Sequence, residues 1–303
     1  MELELKKECL DTYELGEPQT LTQEETAETI VPDYCPDIAR IISAEGVVCL
    51  HGGTEQDGVT GTVRVTVLYT PENESGVRAL EFAMPFSAQG EGLAGCAHVV
   101  VETEIELLES RMLNPRKIFT RCKLVTHLAG CRKVCLTISS DAETDPALLV
   151  EKRCCGQTVS LLRQVAEKDL TFSETMSLSL GREGAAELLH CRANGIVTET
   201  KAIGNKLIFK GVFLVSALYR TIGGQLASAS AELPFSQIME TDSTEENTQV
   251  SMRLRITGTD IQIDGSDDEG RQLSVTVYYH TMAFLRETRE VTLLTDLYST
   301  AYE

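Results

Sequence analysis

The sequence predicts a mainly β protein made of two tandem repeats of an antiparallel β-sandwich-like domain, each with one short helix near its start. The first observation behind this prediction is an internal repetition. The recurring segments are residues 21–26 with 170–175, 61–69 with 211–219, and 84–87 with 233–236. Their common offset is far longer than the ~20–50 residues of a solenoid repeat, so each copy should have its own hydrophobic core. We predict domains at residues 1–145 and 146–303.

The second observation is the alternation of apolar and polar residues, which is typical of half-buried strands. Val63, Val65, Val67 and Tyr69 fall on one face of the best example. The predicted strands are residues 46–50, 63–69, 77–84, 99–108 and 117–125 in the first copy, and 206–219, 228–233, 250–258 and 272–279 in the second. The first two are expected to form a hairpin. Pro85 has no amide donor, so the strand before it should end there or lie at a sheet edge.

A short helix is predicted near the start of each copy. In the first copy, Pro36 and Asp37 are typical of a helix start, and the isoleucines within residues 38–42 are spaced to share one helical face. Residues 183–191 hold the matching place in the second copy. Residues 147–165, after a polar linker, are expected to form a strand pair that opens the second copy.

The formal net charge of −19 argues against nucleic-acid binding, because a phosphate backbone would be repelled and no dense cluster of Lys and Arg is present. No segment approaches the ~18–20 apolar residues that span a bilayer. Residues 1–7 lack the pattern of a signal peptide. We therefore expect a cytoplasmic protein with no nucleic-acid partner and no membrane insertion.

The ten cysteines do not recur between the two copies, although cysteines that held the fold together should have been duplicated with it. Most are therefore expected to be reduced and partly buried. His127, Cys131 and Cys135 form a partial metal-ligand pattern, but no second pair accompanies them. The neighbours Cys154 and Cys155 could form a vicinal disulfide only with strain. We predict neither a metal site nor a cofactor.

Asp33 and Asp37 are the strongest candidates for a catalytic carboxylate pair, because both lie in the most strongly patterned loop. The alternative is an Asx turn for Asp33 and a first-turn helix acid for Asp37, which need no substrate. The sequence contains no Gly-x-Ser-x-Gly, Walker-type or His-Glu-x-x-His motif. We predict that the protein is not an enzyme and keep a hydrolase as the minor alternative. The acidic residues within 260–269 lack a regular calcium loop and predict a solvated hairpin turn.

The recurring residues are interpreted as a structural framework. They are Gly61, Tyr69, Pro85 and Phe86 in the first copy and Gly211, Tyr219, Pro234 and Phe235 in the second. A tyrosine that closes an alternating strand is typical of a core corner, with stacking on a ligand as the alternative. The Pro-Phe pairs are expected to end a strand and to fill the core.

One motif occurs only in the first copy: Val31-Pro32-Asp33-Tyr34-Cys35-Pro36-Asp37-Ile38-x-x-Ile41. Followed by Leu68-Tyr69 and Pro85-Phe86, it resembles the SPOCS domain of endospore-forming anaerobic firmicutes, found in SipL-like sporulation proteins. The resemblance covers most of the first copy. In the second copy it rests on residues 211–219 and on Pro234-Phe235, because residues 180–187 replace the motif.

The resemblance implies a non-enzymatic scaffold or adaptor in spore coat assembly. SipL-like proteins act in the mother cell at the forespore surface, where they bind the coat ATPase SpoIVA. Asp33, Tyr34, Pro36 and Asp37 are the expected binding residues, and self-association is left open. Such proteins often end in a LysM module, which is not found here, so the chain is expected to be a fragment. A carbohydrate-binding or envelope module is the alternative function.

Overall fold

The computed structural model describes residues 4–51, 58–144, 149–178, 181, 183–242, 244, 247–265 and 269–299. These residues form thirteen strands and no helix, which confirms the prediction of a mainly β protein with antiparallel sheets. The strands are β1 (Glu4–Leu15), β2 (Gln19–Ile30), β3 (Ile38–Leu50), β4 (Gly58–Pro71), β5 (Arg78–Gln89), β6 (His98–Asn114), β7 (Lys117–Glu143), β8 (Val150–Ser177), β9 (Ala185–Ile203), β10 (Lys206–Thr221), β11 (Leu226–Glu240), β12 (Gln249–Ile263) and β13 (Gln272–Ser299). In this part of the chain no helix has the length and apolar character needed to cross a bilayer.

In the first half of the chain, two sheets pack against each other around a hydrophobic core. One sheet has the order β3-β4-β5. In the other, β7 is central: its first part pairs with β2 and β6, and its later part pairs with β1. The core contains Val63, Val65, Val67 and Tyr69 of β4 with Ile118, Cys122, Leu124 and Leu128 of β7. The four β4 residues share one buried face, as the alternation predicts.

The second half has the same order of strand pairing. The sheet β11-β10-β9 packs against the sheet β12-β13-β8. Its core contains Phe209, Phe213, Val215 and Tyr219 of β10 with Leu273, Val275, Val277 and Tyr279 of β13. β8 is one continuous strand that pairs along the whole of β13. In the first half two separate strands, β1 and β2, pair with the corresponding length of β7. The predicted strand pair within residues 147–165 is therefore wrong.

The short helices predicted near the start of each half are also wrong, because both segments are strands with β-bulges. Ile38 and Ile41 contact the core, whereas Ile42 is half exposed. The register of β3 on β4 shifts between Ile38 and Arg40 and again between Ile41 and Ser43. A bulge adds one residue, so apolar residues three apart can share a face of a strand as they do in a helix. β9 shows shifts on β10 at the matching places.

Pro85 lies inside β5, which continues to Gln89 and pairs only with β4. β5 is therefore an edge strand, which is one of the two outcomes expected for this proline. Pro234 has the same position in β11, the edge of its own sheet. An edge strand tolerates proline because part of its amides have no ladder partner.

The recurring glycines and phenylalanines face each other across neighbouring strands. Gly61 is opposite Phe86, and Gly211 is opposite Phe235. A Cβ atom on Gly61 would lie 2.5 Å from the Phe86 ring. One on Gly211 would lie 2.6 Å from the Phe235 ring and 2.1 Å from the Ile196 carbonyl oxygen. In each half the phenylalanine ring therefore covers its glycine, which explains why the two segments recur together.

A smaller apolar cluster joins the two halves. It contains Val100, Ala129 and Cys131 from the first half with Leu162, Val165, Met282 and Phe284 from the second. The two larger cores do not share residues, since one uses residues 31–128 and the other residues 166–285. The division between residues 145 and 146 stays a prediction, because residues 145–148 lie outside the described part of the chain.

Substitution of the recurring glycines should test this packing. Gly211→Ala is expected to lower the free energy of unfolding by about 1–3 kcal/mol, because the methyl group overlaps both a ring and a backbone oxygen. Gly61→Ala should cost less, since its closest neighbour is a side chain that can shift. Gly156→Ala in β8 is the control, because its Cβ would have no neighbour within 4 Å. Chemical denaturation measures all three, and equal losses would contradict the packing argument.

Candidate functional site

The loop between β2 and β3 is held by a single arginine. Arg116 lies in the turn between β6 and β7, directly before β7 begins. Its Nη1 donates to the Cys35 carbonyl oxygen (2.8 Å) and to Asp37 Oδ1 (2.9 Å). Its Nη2 donates to the Val31 carbonyl oxygen (2.9 Å) and to Asp33 Oδ1 (3.1 Å). The guanidinium group therefore binds two backbone carbonyls and two carboxylates of one loop, and we call this set the Arg116 clasp.

Backbone hydrogen bonds fix both ends of the same loop. Val31 N donates to the Arg116 carbonyl oxygen (2.9 Å), and Ile38 N donates to the Pro115 carbonyl oxygen (2.9 Å). Inside the loop, Cys35 N donates to the Pro32 carbonyl oxygen (2.9 Å) and closes a turn. The loop is thereby tied to the β6–β7 turn before and after the residues that Arg116 binds.

The clasp gives Asp33 and Asp37 roles that differ from both structural alternatives. Neither carboxylate lies in a helix, and each makes an ion pair with Arg116. The Asp33 side chain is fully exposed, the Asp37 side chain is 41% exposed and the Arg116 side chain is 34% exposed. Ion pairs this open to solvent stabilise weakly by charge alone, so the two backbone carbonyl contacts are the stronger restraint.

Two tyrosines lie on opposite sides of this loop. Tyr34 is 88% exposed and projects from a backbone that the clasp restrains. Tyr69 is completely buried, and its Oη donates to the Pro36 carbonyl oxygen at 3.3 Å. Burial raises the pKa of Tyr69 to about 12, so its hydroxyl keeps its proton. Tyr69 supports the loop from inside, whereas Tyr34 presents an aromatic ring to solvent.

Exposed apolar side chains surround the base of the loop. Ile30 is 71% exposed at the end of β2, opposite Lys117. Met112 and Leu113 are exposed at the end of β6, next to the same turn. We call Ile30, Tyr34, Met112 and Leu113 the Tyr34 tip. Single exposed apolar residues are common, and four of them close to one loop make this end of the sandwich a candidate for partner contact.

Residues 185–264 match a family model described as SipL, SPOCS domain. This segment of the chain is similar to a SPOCS domain. The matched residues include β9 to β12 with Gly211, Tyr219, Pro234 and Phe235. The match therefore lies in the second half, whereas the resemblance seen in the sequence drew mainly on the first. Searches among curated proteins and among solved structures found no match.

The loop that leads into β9 in the second half has backbone hydrogen bonds like those at the ends of the clasp loop. Leu178 N donates to the Arg271 carbonyl oxygen (2.7 Å), and Ala185 N donates to the Gly270 carbonyl oxygen (2.7 Å). These bonds correspond to those from Val31 and Ile38 in the first half. Arg271 thus stands directly before β13, as Arg116 stands before β7, and its Nε lies 3.0 Å from Glu269 Oε2.

The two loops have matching backbone hydrogen bonds at their ends, but their side chains differ. Tyr219 of the second half is buried like Tyr69, but its Oη meets no acceptor among the described residues. Glu183 accepts a hydrogen bond from Gly223 N at 3.1 Å, across the loop that follows β10. Residues 180 and 182 of the segment that replaces the motif lie outside the described part of the chain. No residue corresponding to the exposed Tyr34 is seen in the described part of this loop.

The cysteines form one disulfide, which corrects the expectation for two of them. Cys9 of β1 and Cys135 of β7 are bonded on the exposed face of their strand pair. The free cysteines are Cys35, Cys49, Cys96, Cys122, Cys131, Cys154, Cys155 and Cys191. Burial raises the pKa of the Cys131 thiol to about 11. In the partial pattern of His127, Cys131 and Cys135, Cys135 is therefore part of a surface disulfide and Cys131 is a buried thiol.

Of the acidic residues predicted to form a solvated turn, Asp260 lies in β12, where its carboxylate accepts from Gln262 Nε2 at 2.9 Å. Asp267 and Asp268 lie outside the described residues. The described part of this segment thus pairs with its own strand neighbours.

The clasp can be tested by removing its guanidinium group. Arg116→Ala is expected to lower the free energy of unfolding by about 1–2 kcal/mol, because two partly buried carbonyls and two carboxylates lose their donor. Amide hydrogen exchange of residues 31–38 should accelerate in the same variant. Arg121→Ala is the control, since Arg121 makes only exposed ion pairs with Glu24 and Glu109 and should cost under about 0.5 kcal/mol. Equal effects of the two substitutions would show that the clasp does not hold the loop.

Proposed function

We propose that the protein is a non-enzymatic adaptor that binds other sporulation proteins and helps to assemble the spore coat. The observation that carries this proposal is the match of residues 185–264 to the SipL SPOCS domain. The resemblance of residues 31–41 to the same family supports it from the other half of the chain. By that resemblance the protein works in the mother cell at the forespore surface, and its partner is the coat ATPase SpoIVA.

We also infer that the two halves are copies of one sandwich, divided near residue 145. The order of strand pairing supports this inference, as do the bulges at matching places in β3 and β9. The covered glycines, Gly61 and Gly211, support it at the level of side chains. Each of these agreements involves backbone register, which unrelated sandwiches have no reason to share.

We assign partner binding to the Tyr34 tip. A tyrosine ring offers a large contact area and few rotatable bonds, which is why tyrosine is common at the centre of protein interfaces. The clasp orders the loop before the partner arrives, so less conformational entropy is lost on binding. Ile30, Met112 and Leu113 add apolar area around the ring. The partner that fits has an apolar pocket for the ring and donors for the exposed Asp33 carboxylate.

The assignment predicts that Tyr34→Ala weakens binding to purified SpoIVA by about tenfold or more without lowering the melting temperature. The reason is that Tyr34 is exposed and contributes little to the fold. Tyr298→Ala is the control, because Tyr298 is an exposed tyrosine in β13 of the other half. Biolayer interferometry measures both affinities and differential scanning fluorimetry measures both melting temperatures.

If Tyr34→Ala binds SpoIVA as tightly as the unchanged protein, the Tyr34 tip is not part of the interface. If the unchanged protein does not bind SpoIVA, SpoIVA is not the partner. Retention on a polysaccharide column that depends on Tyr34 would favour the carbohydrate-binding alternative.

The non-enzymatic part of the proposal predicts no turnover of chromogenic ester, phosphate or glycoside substrates, with or without added divalent metal. The physical reason is that the carboxylates of Asp33 and Asp37 are both engaged by Arg116 in ion pairs that need no substrate. Metal-dependent hydrolysis that disappears in Asp33→Ala or Asp37→Ala, while Glu28→Ala retains it, would favour the hydrolase alternative.

A further inference from the structure

Histidines and carboxylates bridge the boundary between the two halves. His98 of β6 belongs to the first half, and Glu167 of β8 and His280 of β13 belong to the second. His98 Nδ1 lies 2.5 Å from Glu167 Oε1, and His280 Nε2 lies 3.4 Å from Glu167 Oε2. The Glu167 carboxylate is therefore held between two imidazole rings, one from each half of the chain.

The second nitrogen of His280 also faces a carboxylate. His280 Nδ1 lies 2.8 Å from Asp169 Oδ1, so both ring nitrogens meet acceptors. A neutral imidazole has a single N–H group, whereas an imidazolium has two. Ionised carboxylates only accept, so the geometry of His280 is satisfied when its ring carries the extra proton. Loss of that proton would set a nitrogen lone pair against an oxygen lone pair.

Other charged groups face this cluster from each neighbouring strand. Arg255 of β12 donates to the Val101 carbonyl oxygen (3.3 Å), and Arg253 of β12 pairs with Glu102 of β6. Both guanidinium groups line the same cavity of about 410 Å³, as do Lys168 and His51. Lys168 directs its ammonium group to the Ile238 carbonyl oxygen (2.9 Å). The ring of Tyr13 in β1 packs against His98 at 5.8 Å between centroids.

These cations oppose a proton on the imidazoles, and the carboxylates favour it. Arg255 acts on His280 in the unfavourable direction. Glu167 and Asp169 are both in contact with the His280 ring. Their combined effect outweighs that of Arg255, since the pKa of His280 is raised overall by the hydrogen bond to Glu167.

A second histidine and carboxylate meet across the same boundary. His190 Nε2 of β9 lies 3.0 Å from Glu45 Oε2 of β3, close enough to pair by charge although the angle does not form a hydrogen bond. This contact also needs a proton on the ring to be attractive. A histidine of one half thus meets a glutamate of the other at two places on the boundary.

We propose that His98, Glu167 and His280 form a proton-dependent lock between the two halves. Glu167 reaches across the boundary to His98, and the His280 ring holds the Glu167 carboxylate in place while it carries its extra proton, so the lock weakens when His280 loses that proton. The apolar cluster of Cys131, Val165 and Met282 lies next to the lock and opens with it. This inference concerns the boundary alone and does not depend on the identity of any partner.

The directions of the pKa values agree with the lock. The hydrogen bond to Glu167 raises the pKa of His280 above its ordinary value of 6.5, although burial opposes it. Burial acts to raise the pKa of Glu167, but the hydrogen bonds from His280 and His98 outweigh it and lower the pKa below 4.5. The His280 contribution is fully present below pH 6.5 and is lost as the pH rises through the raised pKa. The Glu167 contribution is present above pH 4.5 and is lost only as the pH falls through the lowered pKa.

The first test follows the imidazole NMR signals of the full chain between about pH 5 and pH 8, the range in which histidine titrates. In Glu167→Gln the titration midpoint of His280 should move down by about one pH unit or more, because the amide carries no charge. His127 is the internal control, since its Nδ1 contacts the Thr20 hydroxyl at 3.0 Å. A His280 midpoint that stays in place overturns the lock.

The second test measures opening by thiol alkylation and mass spectrometry. Cys131 lies at the boundary and Cys122 lies in the first core, and burial raises the pKa of each thiol to about 11. The ratio of their alkylation rates therefore cancels the pH dependence of the thiol chemistry. In the unchanged protein the Cys131 to Cys122 ratio should rise by about threefold or more from pH 6 to pH 8.

In the double variant His98→Gln with His280→Gln, the ratio should be high at both pH values, because the amides carry no charge and do not titrate. A ratio that is independent of pH in the unchanged protein overturns the proposal, even if the double variant does not fold.

Discussion

The length of β7 and β13 is the constraint on which the rest of the structure depends. β7 has 27 residues, so it spans roughly 90 Å at about 3.3 Å per residue, more than one sandwich covers. Alternate residues of β7 are buried from Ile118 to Leu128, whereas the residues beyond Cys131 are exposed or half-buried except for Ala142. The backbone of that outer part still needs hydrogen-bond partners, and β1 supplies them. The outer part of β13 pairs in the same way with the first part of β8.

The boundary between the halves includes the place where these outer parts meet. Leu10, Leu161 and Val291 make one buried cluster there, in addition to the cluster around Cys131 and Met282. Polar contacts accompany both clusters, such as Thr12 Oγ1 to the Leu162 carbonyl oxygen (3.2 Å) and Arg289 to Glu8 (2.7 Å). Because charged groups take part in the boundary beside these apolar clusters, a change of protonation there acts directly on the contact between the halves.

The sequence predicts what depends on neighbouring residues and misses what depends on distant ones. Val63 to Tyr69 alternate without interruption, so their buried face could be read directly. Ile38 and Ile41 could not, because the bulges that set their spacing exist only against β4. The loop of Asp33 and Tyr34 was found as a pattern, but Arg116 lies more than eighty residues later and only the fold brings it there. The sequence offered one signal for the role of Arg116: Arg271 occupies the same place before β13 as Arg116 does before β7. A single pair of matched residues is weak evidence by itself.

The two halves differ in a way that bears on where function lies. The covered glycine needs only two adjacent strands, and it occurs in both halves. The backbone ends of the clasp also occur in both, yet the first loop carries Asp33, Tyr34 and Asp37 where the second half has a different sequence. The family match covers residues 185–264, a segment that lacks this motif and contains Gly211, Tyr219, Pro234 and Phe235 of the framework. Function depends on the side chains that a framework carries, and for this chain that argument favours the first loop as the contact surface.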